Sequence, residues 1–223
     1  MILTSEAQAR DWIAARPGVG AEALERLELL IALLSAENTR QNLVSAASLQ
    51  EVWRRHIADS AQLLNHAPAS RSAPWLDLGT GAGFPGLVIA ALQPDREVVM
   101  VESRGRRIEW LTRAVESLAL PRAQVIGSRL ERVDDRPFGV ISARAFAPLD
   151  ALLALSARFS TSDTIWLLPK GRSARDEVAG LTGWNHLFHV EQSLTDPEAG
   201  IVVGTLHGKV STTPPFRKKA QPT

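Results

Sequence analysis

The sequence predicts an α/β fold with a mostly parallel sheet, an antiparallel C-terminal edge and an N-terminal helical extension. From residue 75 onward, short apolar runs alternate with longer stretches of helical periodicity, which is typical of βαβ units around a parallel sheet. Before that point the apolar spacing is helical only. With 223 residues, the chain is long enough for one core domain of this kind and an extension.

Three segments follow from these patterns. Residues 1–72 are expected to form a helical extension packed on the core, and residues 73–210 the core itself. The last segment, 211–223, combines Pro214, Pro215 and Pro222 with basic residues, so we expect a mobile basic tail.

Two helices are predicted in the extension. Between residues 20 and 37 the leucines recur at helical spacing with charged residues between them, which indicates an amphipathic helix. A second stretch, 51–65, places Trp53, Ile57, Ala61 and Leu64 on one face.

The core elements are predicted from the length and period of each apolar run. Strands are expected at 75–78, 97–102, 124–126, 140–142 and 164–168. Helices are expected at 86–92, 106–118, 149–157 and 173–181. Two late runs, 187–192 and 201–206, flank a turn-like stretch, so we expect them to pair as a hairpin at one sheet edge.

Composition narrows the classes of protein that this chain can be. It has no cysteine, which excludes disulfides, thiolate zinc sites and a catalytic thiol. No signal peptide and no apolar run of the length of a membrane helix is present, so we expect a cytoplasmic protein without a membrane partner. No metal site is expected either. The net charge is only +1, so any nucleic-acid contact must come from local basic clusters.

A glycine-rich loop follows the first predicted strand. Glycines at positions 79, 81, 83 and 86 allow a sharp turn and let a ligand approach the backbone without a Cβ in the way. Pro85 is suited to the first turn of the helix that follows. In an open parallel sheet this loop lies at the carboxyl end of a strand, where ligands bind.

Two acidic residues indicate which ligand the loop binds. Glu102 ends the second strand and could accept hydrogen bonds from ribose hydroxyls, as in dinucleotide enzymes, or simply be exposed. Asp77 and the extra glycine, Gly83, produce the pattern Asp-x-Gly-x-Gly-x-Gly. This pattern resembles motif I of class I methyltransferases, which bind S-adenosylmethionine. A local cap on the turn is a compatible role for Asp77.

The loops after the third and fourth strands add three candidates. Leu130 offers an apolar edge or a backbone N–H to an adenine, and Glu131 an acceptor for its amine, although Glu131 could equally be a plain helix-start residue. Arg144 suits the cofactor carboxylate or an RNA phosphate, with a surface salt bridge as the alternative.

With these residues in view, the sequence resembles the 16S rRNA guanine-N7 methyltransferases, also called the glucose-inhibited division protein B family. The similarity runs through most of the chain, in the segments 41–44, 55–60, 77–86, 128–131, 144–147 and 169–171. It implies a class I S-adenosylmethionine-dependent methyltransferase fold, Rossmann-like, with 16S rRNA or the small ribosomal subunit as partner. The implied cofactor contacts are Gly79, Gly81, Gly83, Phe84, Glu102, Leu130, Glu131 and Arg144.

The reaction implied by the resemblance is methyl transfer to N7 of a single guanine. This nitrogen carries an in-plane lone pair at neutral pH, so attack on the methyl group needs no general base, and no catalytic residue is assigned. His56 is expected to be structural or to contact RNA together with Arg55. Lys170, at the end of the fifth strand, is expected to meet phosphate or guanine O6, or else to be solvated.

Two alternatives of other classes remain open at this point. A catalytically inactive RNA-binding module would keep the same fold and the same loop. An NAD-dependent dehydrogenase would share the doubly wound sheet, but no hydride-transfer residue set is evident and tyrosine is absent. The oligomeric state is not predicted, since no heptad seam is present.

Overall fold

The N-terminal region of the computed structural model is helical, and the structure describes residues 1–210. The predicted basic tail, 211–223, lies outside the described residues. The helices before the sheet are α1 (Glu6–Ala14), α2 (Ala21–Asn38) and α3 (Ala46–Gln50), followed by a π-helix (Trp53–Ala58), α4 (Asp59–Ala61) and a 3-10 helix (Gln62–Asn65).

The prediction of one regular helix over 51–65 is wrong in detail, because the segment passes through three helix types. The π-turn sits where Trp53 and Arg54 donate their backbone N–H groups to the carboxylate of Glu6, at 2.9 and 2.8 Å. Such π-helical turns are rare and are frequently found at functional sites. Helices α1 and α3 were not predicted, since both are short; a serine caps each of them, Ser5 and Ser45.

The main sheet has seven strands, and its architecture confirms the predicted α/β class. The strands are β1 (Trp75–Leu78), β2 (Val98–Glu102), β3 (Ala123–Gly127), β4 (Val140–Ala143), β5 (Ile165–Gly171), β7 (His189–Gln192) and β8 (Gly200–Gly204). Their order is β3-β2-β1-β4-β5-β8-β7. The first five run parallel, while β8 is antiparallel to both β5 and β7, as the hairpin prediction requires.

A second, two-stranded sheet was not predicted. It pairs β6 (Trp184–His186) with β9 (Leu206–Lys209). The predicted strand 201–206 is divided between two sheets, because the chain leaves the main sheet after Gly204 at φ +149°, a conformation that side chains disfavour.

Helices cover both faces of the main sheet. They are α5 (Gly86–Leu92), α6 (Gly105–Ser117), α7 (Leu149–Ser156) and α8 (Ala174–Ala179). Leu27, Leu30 and Leu34 of α2 belong to the same apolar cluster as Trp75 and Val88, so the N-terminal helices share a core with the sheet. Within residues 1–210, no helix combines the length and apolar character needed to cross a membrane.

The parallel strands determine where the candidate residues meet. Strands β1 to β5 all point the same way, so the loops that follow them lie along one edge of the sheet. The glycine loop after β1 and the loops after β2, β3, β4 and β5 together form a cleft at this edge.

Candidate functional site

Positive φ angles shape the glycine loop. Gly79, Gly81 and Gly83 have φ values of +60°, +62° and +101°, which L side chains rarely adopt. A Cβ on Gly79 would lie 2.2 Å from Cδ2 of Phe146, and one on Gly83 would lie 2.3 Å from Cδ1 of Leu87. Glycine is therefore needed at these positions both for the turn and for the close packing around it.

Asp77 lies fully buried beneath the loop. Its Oδ2 accepts the Gly86 N–H at 3.0 Å and the Thr80 hydroxyl, and its Oδ1 accepts the Ser142 hydroxyl at 2.7 Å. Burial raises the pKa of Asp77 to about 6, although the three hydrogen bonds act against that shift. The carboxylate thus ties β1, the loop, the start of α5 and β4 together, which agrees with its predicted role as a local cap.

Glu102 is also buried, so the alternative of an exposed strand-end glutamate is wrong. Its Oε1 accepts the backbone N–H groups of Ser103 and Arg104, at 2.7 and 2.9 Å. Its Oε2 accepts the Gly81 N–H at 3.1 Å. Nη1 of Arg107 lies 3.9 Å from the same oxygen and forms a long ion pair with it. A carboxylate has about four acceptor positions, so three backbone bonds leave room for a ribose hydroxyl at Oε2.

A cavity of about 400 Å³ opens between the glycine loop and the loop after β3. Four of the predicted cofactor residues line it, namely Gly79, Glu102, Leu130 and Glu131. Its volume suits a nucleoside-sized ligand, and it offers an acceptor at Glu102 and an apolar wall at Leu130. The cavity therefore fits S-adenosylmethionine. Its lining residues do not include Gly81, Gly83 and Phe84. These three belong to the glycine loop and determine its shape.

A second cavity, of about 780 Å³, lies on the other side of the loop after β4. Arg144 lines this cavity and not the smaller one. The three residues predicted to contact RNA, Arg55, His56 and Lys170, line it as well. The structure thus separates the candidates into two neighbouring groups.

Arg144 is held in place by the helical region before the sheet. Its Nη1 donates to Oδ2 of Asp59 at 3.2 Å and to the backbone oxygen of Arg55 at 3.4 Å. Its guanidinium lies 5.2 Å from the ring centroid of Phe84. The predicted alternative of a salt bridge is therefore realised, with a guanidinium that still faces the larger cavity.

His56 is buried and stacked on Phe84, with the ring centroids 4.8 Å apart. Its Nε2 lies 3.0 Å from the Ser48 hydroxyl, and its Nδ1 lies 3.4 Å from Nη2 of Arg144. Burial lowers the pKa of His56 to about 3, with Arg144 and Arg55 acting in the same direction. The imidazole is neutral at neutral pH, and both of its nitrogens are engaged.

Lys170 forms an ion pair that the sequence did not predict. Its Nζ lies 2.9 Å from Oε2 of Glu177 and also donates to the backbone oxygen of Ala147, and the side chain is only 8% exposed. The alternative of a solvated lysine is therefore wrong. Burial raises the pKa of Glu177, but hydrogen bonds from Ser173, Lys170 and the Leu149 N–H outweigh it and hold that pKa below its usual value.

The sequence did not predict two kinds of residue at this site. One kind is the acidic partners of Arg144 and Lys170, and the other is the residues that line both cavities. Glu177 has no distinguishing pattern in the sequence, and Asp59 lies in the family-like segment 55–60 but was not predicted to pair with Arg144. Ala145 and Phe146 line both cavities, and Ala145 has a φ of +51°, which is unusual for a residue other than glycine. The sequence predicted a candidate in this loop, Arg144, and the segment 144–147 is similar to the family, but neither Ala145 nor Phe146 was assigned a role. Among residues 1–210, no group of three or more potential metal ligands is present.

Strand order, glycine loop and nucleoside-sized cavity define the S-adenosylmethionine-dependent methyltransferase class. The fold aligns with cofactor-bound Rv0187 from MTB at a TM-score of 0.62, 14% identity and coverage of 94% of this chain and 100% of the other. It also aligns with a putative O-methyltransferase from Klebsiella pneumoniae, at 0.59, 12% identity and coverage of 91% and 97%. At such low sequence identities, the two alignments show similarity of fold alone.

Sequence comparison is more specific. The profile of the family described as rRNA small subunit methyltransferase G, or GidB, matches residues 23–195. A protein of that name from Erythrobacter litoralis is 58% identical over 204 residues, covering 91% of this chain and 97% of the relative. One from Novosphingobium aromaticivorans is 57% identical over 208 residues, covering 92% and 90%. The chain belongs to the rRNA small subunit methyltransferase G family, which confirms the predicted family and decides against a dehydrogenase.

Proposed function

We propose that this protein transfers the methyl group of S-adenosylmethionine to N7 of a single guanine in 16S rRNA. The observation that carries the proposal is the pair of cavities in the cleft, one bounded by the glycine loop and the other by basic side chains, which meet at Ala145 and Phe146. Family membership supports the small-subunit rRNA as the acceptor. The choice of N7 rests on the resemblance described above.

In this proposal the smaller cavity holds the cofactor. Glu102 accepts a ribose hydroxyl, Leu130 packs on the adenine and Glu131 accepts from its amine. The backbone at Gly79 borders the cavity and would lie along the methionine portion, while Gly81, Gly83 and Phe84, which do not line the cavity, maintain the shape of the loop. Arg144 meets either the cofactor carboxylate or an RNA phosphate from the side of the larger cavity. When bound, S-adenosylmethionine supplies an electrophilic methyl group on a sulfonium centre.

The transfer needs positioning and no proton acceptor. With S-adenosylmethionine held by Glu102, Leu130 and Glu131, the N7 lone pair would take the methyl group as the carbon–sulfur bond electrons stay with sulfur, and the positive charge would pass to the guanine. No proton is exchanged in this step. His56 suits this scheme, since both of its nitrogens are occupied and it acts as a structural support. Holding the two atoms in line supplies the main rate advantage.

The larger cavity receives the RNA. Arg55, whose side chain is 44% exposed and pairs with Asp196 at 3.6 Å, is available to a phosphate at the rim. Lys170 and Arg144 present donors deeper inside, where a guanine O6 would meet them. We further propose that residues 1–72 act as an extension packed on the core 73–210, and that the protein works in the cytoplasm, where the small subunits are found.

The test is methyl incorporation into small subunits from a strain that lacks this gene. We expect tritium from S-adenosylmethionine to enter 16S rRNA, in naked form or in subunits, at one guanine that becomes N7-methylated. Calorimetry with S-adenosylmethionine and with NADH provides a control on the cofactor. RNA binding without incorporation into either substrate would instead support a non-catalytic RNA-binding module.

A further inference from the structure

Phe146 lies at the junction of the two cavities. Among the residues described as lining them, it shares this position with Ala145 alone. A methyl group that passes from the smaller cavity to the larger one must pass beside these two residues. Ala145 offers only a methyl side chain there, so the aromatic ring is the larger contact surface at this junction.

The ring is held by the backbone on both sides. Upstream, Arg144 is anchored to Asp59 at 3.2 Å, and Ala145 adopts a φ of +51°. Downstream, Lys170 holds the Ala147 oxygen and Glu177 accepts the Leu149 N–H at 2.7 Å. The ring itself lies so close to Gly79 that a Cβ on that residue would come within 2.2 Å of Cδ2 of the ring. A non-glycine residue with positive φ is retained where the surroundings enforce it, which fits a ring whose position matters.

We propose that Phe146 is the platform on which the target guanine stacks in the larger cavity. This inference rests on the proposed function. A flat aromatic face binds any nucleobase by stacking, and Lys170 and Arg144 in the same cavity can meet the polar edge of the base. Because the guanine becomes positively charged as N7 is methylated, the electron-rich face of the ring also favours the transition state over the neutral base.

The test compares Phe146→Leu with Phe146→Tyr and Phe146→Trp. For each variant, KM and kcat are measured with undermethylated small subunits and with naked 16S rRNA, and the Kd of S-adenosylmethionine is measured by calorimetry. We expect Phe146→Leu to raise the RNA KM about tenfold or more and to lower kcat, with the cofactor Kd within about twofold of wild type. Tyrosine and tryptophan, which preserve a stacking face, should restore most of the loss.

Controls separate this inference from the function on which it rests. Leu187→Ala removes an exposed apolar side chain that lines neither cavity, and it should leave all constants unchanged. If wild-type protein methylates the RNA and Phe146→Leu has an unchanged RNA KM, the stacking role is overturned while the function stands. A cofactor Kd that weakens as much as the RNA KM would also overturn it, because the ring would then belong to the cofactor. Should Phe146→Leu lose cooperative melting, Phe146→Met, whose unbranched and flexible side chain adapts to an irregular space, replaces it in the same comparison.

Discussion

At the scale of single residues, the imidazole of His56 is enclosed between the ring of Phe84 and the hydroxyl of Ser48. Burial is the main cause that disfavours its protonation, and the guanidinium groups of Arg144 and Arg55 act in the same direction. A neutral histidine in such surroundings orients its neighbours. Here the imidazole lies between Arg144, at its Nδ1, and Ser48 of helix α3, at its Nε2.

His56 makes the fold sensitive to acid. With a folded pKa of about 3 against 6.5 for an unperturbed histidine, the unfolded chain takes up the proton first, so stability falls as pH drops from 6.5 towards 3. The loss is at most about 1.4 kcal/mol per pH unit. We expect His56→Gln to reduce this slope in urea unfolding measured between pH 7.5 and 5.5.

Asp77 makes a contribution of the opposite sign to the pH dependence of stability, and comparing the pH slopes of wild type and His56→Gln cancels it. Its raised pKa, about 6, favours the folded state as pH falls, and this contribution is present in wild type and variant alike. Equal pH slopes for the two proteins would contradict the assignment to His56.

Lys170 supports both the loop after β4 and the proposed RNA contact. Lys170→Met removes the cation opposite Glu177 and leaves the half-buried carboxylate with fewer donors, so we expect a loss of about 1–3 kcal/mol in unfolding free energy. We also expect a higher KM for RNA. Lys170→Arg retains the charge and should recover part of the stability and part of the RNA affinity. Urea unfolding measures the free energy of unfolding, and methyl-transfer kinetics measure the RNA KM. An unchanged stability for Lys170→Met would show that the ion pair contributes nothing.

At the scale of elements, a chain of buried polar groups joins the two central strands to the glycine loop. Trp75 Nε1 donates to Oγ of Ser142 at 2.8 Å, and that hydroxyl donates to Asp77, which in turn holds Thr80 and Gly86. The loop is thereby fastened to β1 and β4 from below, so its shape depends on strand pairing as well as on its glycines.

Ser142→Ala should break this chain. It leaves the Trp75 N–H and one Asp77 oxygen without a partner in a fully buried place, which costs about 2 kcal/mol or more in unfolding free energy. Weaker binding of S-adenosylmethionine should accompany the loss. Calorimetry and thermal melting measure the two effects.

Ser156→Ala provides the matched control. Ser156 is equally buried, but its hydroxyl donates only to the Leu152 carbonyl within the same helical segment, so its removal should cost less than about 1 kcal/mol. Equal losses for the two serine variants would argue against a special role of the Ser142 bridge.

At the scale of the whole molecule, the N-terminus is bound to distant parts of the chain. Leu3 donates its N–H to the Leu194 oxygen at 2.7 Å, and Glu6 accepts from Trp53 and Arg54 at the start of the π-helix. The π-helix carries Arg55 and His56 into the larger cavity. Helix α1 therefore acts on the site through the element that it caps.

Glu6→Ala should weaken RNA recognition without affecting the cofactor. Two backbone N–H groups lose their acceptor, so we expect a stability loss of about 1–3 kcal/mol and a raised RNA KM, with an unchanged Kd for S-adenosylmethionine. The control is Glu22→Ala, because the Glu22 side chain is 90% exposed and pairs with Arg26 only at 3.8 Å. A cofactor Kd that weakens in Glu6→Ala would refute the separation of the two cavities.

The success of sequence reasoning differs between these scales. Strands β1 to β5 and the antiparallel edge were predictable, because apolar runs of strand length and turn residues are local signals. The π-helix was not, since its pattern of apolar residues also suits an α-helix and its donors are met by Glu6, which lies 47 residues away from Trp53. The division of 201–206 between two sheets likewise depends on the fold around Gly204.

The sequence by itself determined the fold class, the family, the glycine loop and the acidic residue Glu102 at the end of the second strand. Each was recognised from short motifs or apolar runs, whose residues lie near one another along the chain. Only the tertiary structure decided that Arg144 faces the larger cavity with Asp59, that Lys170 pairs with Glu177, and that Phe146 lies between the cavities. The direction of a side chain is set by the elements packed against it. Asp59 precedes Arg144 by 85 residues, so periodicity and spacing carry no information about their contact.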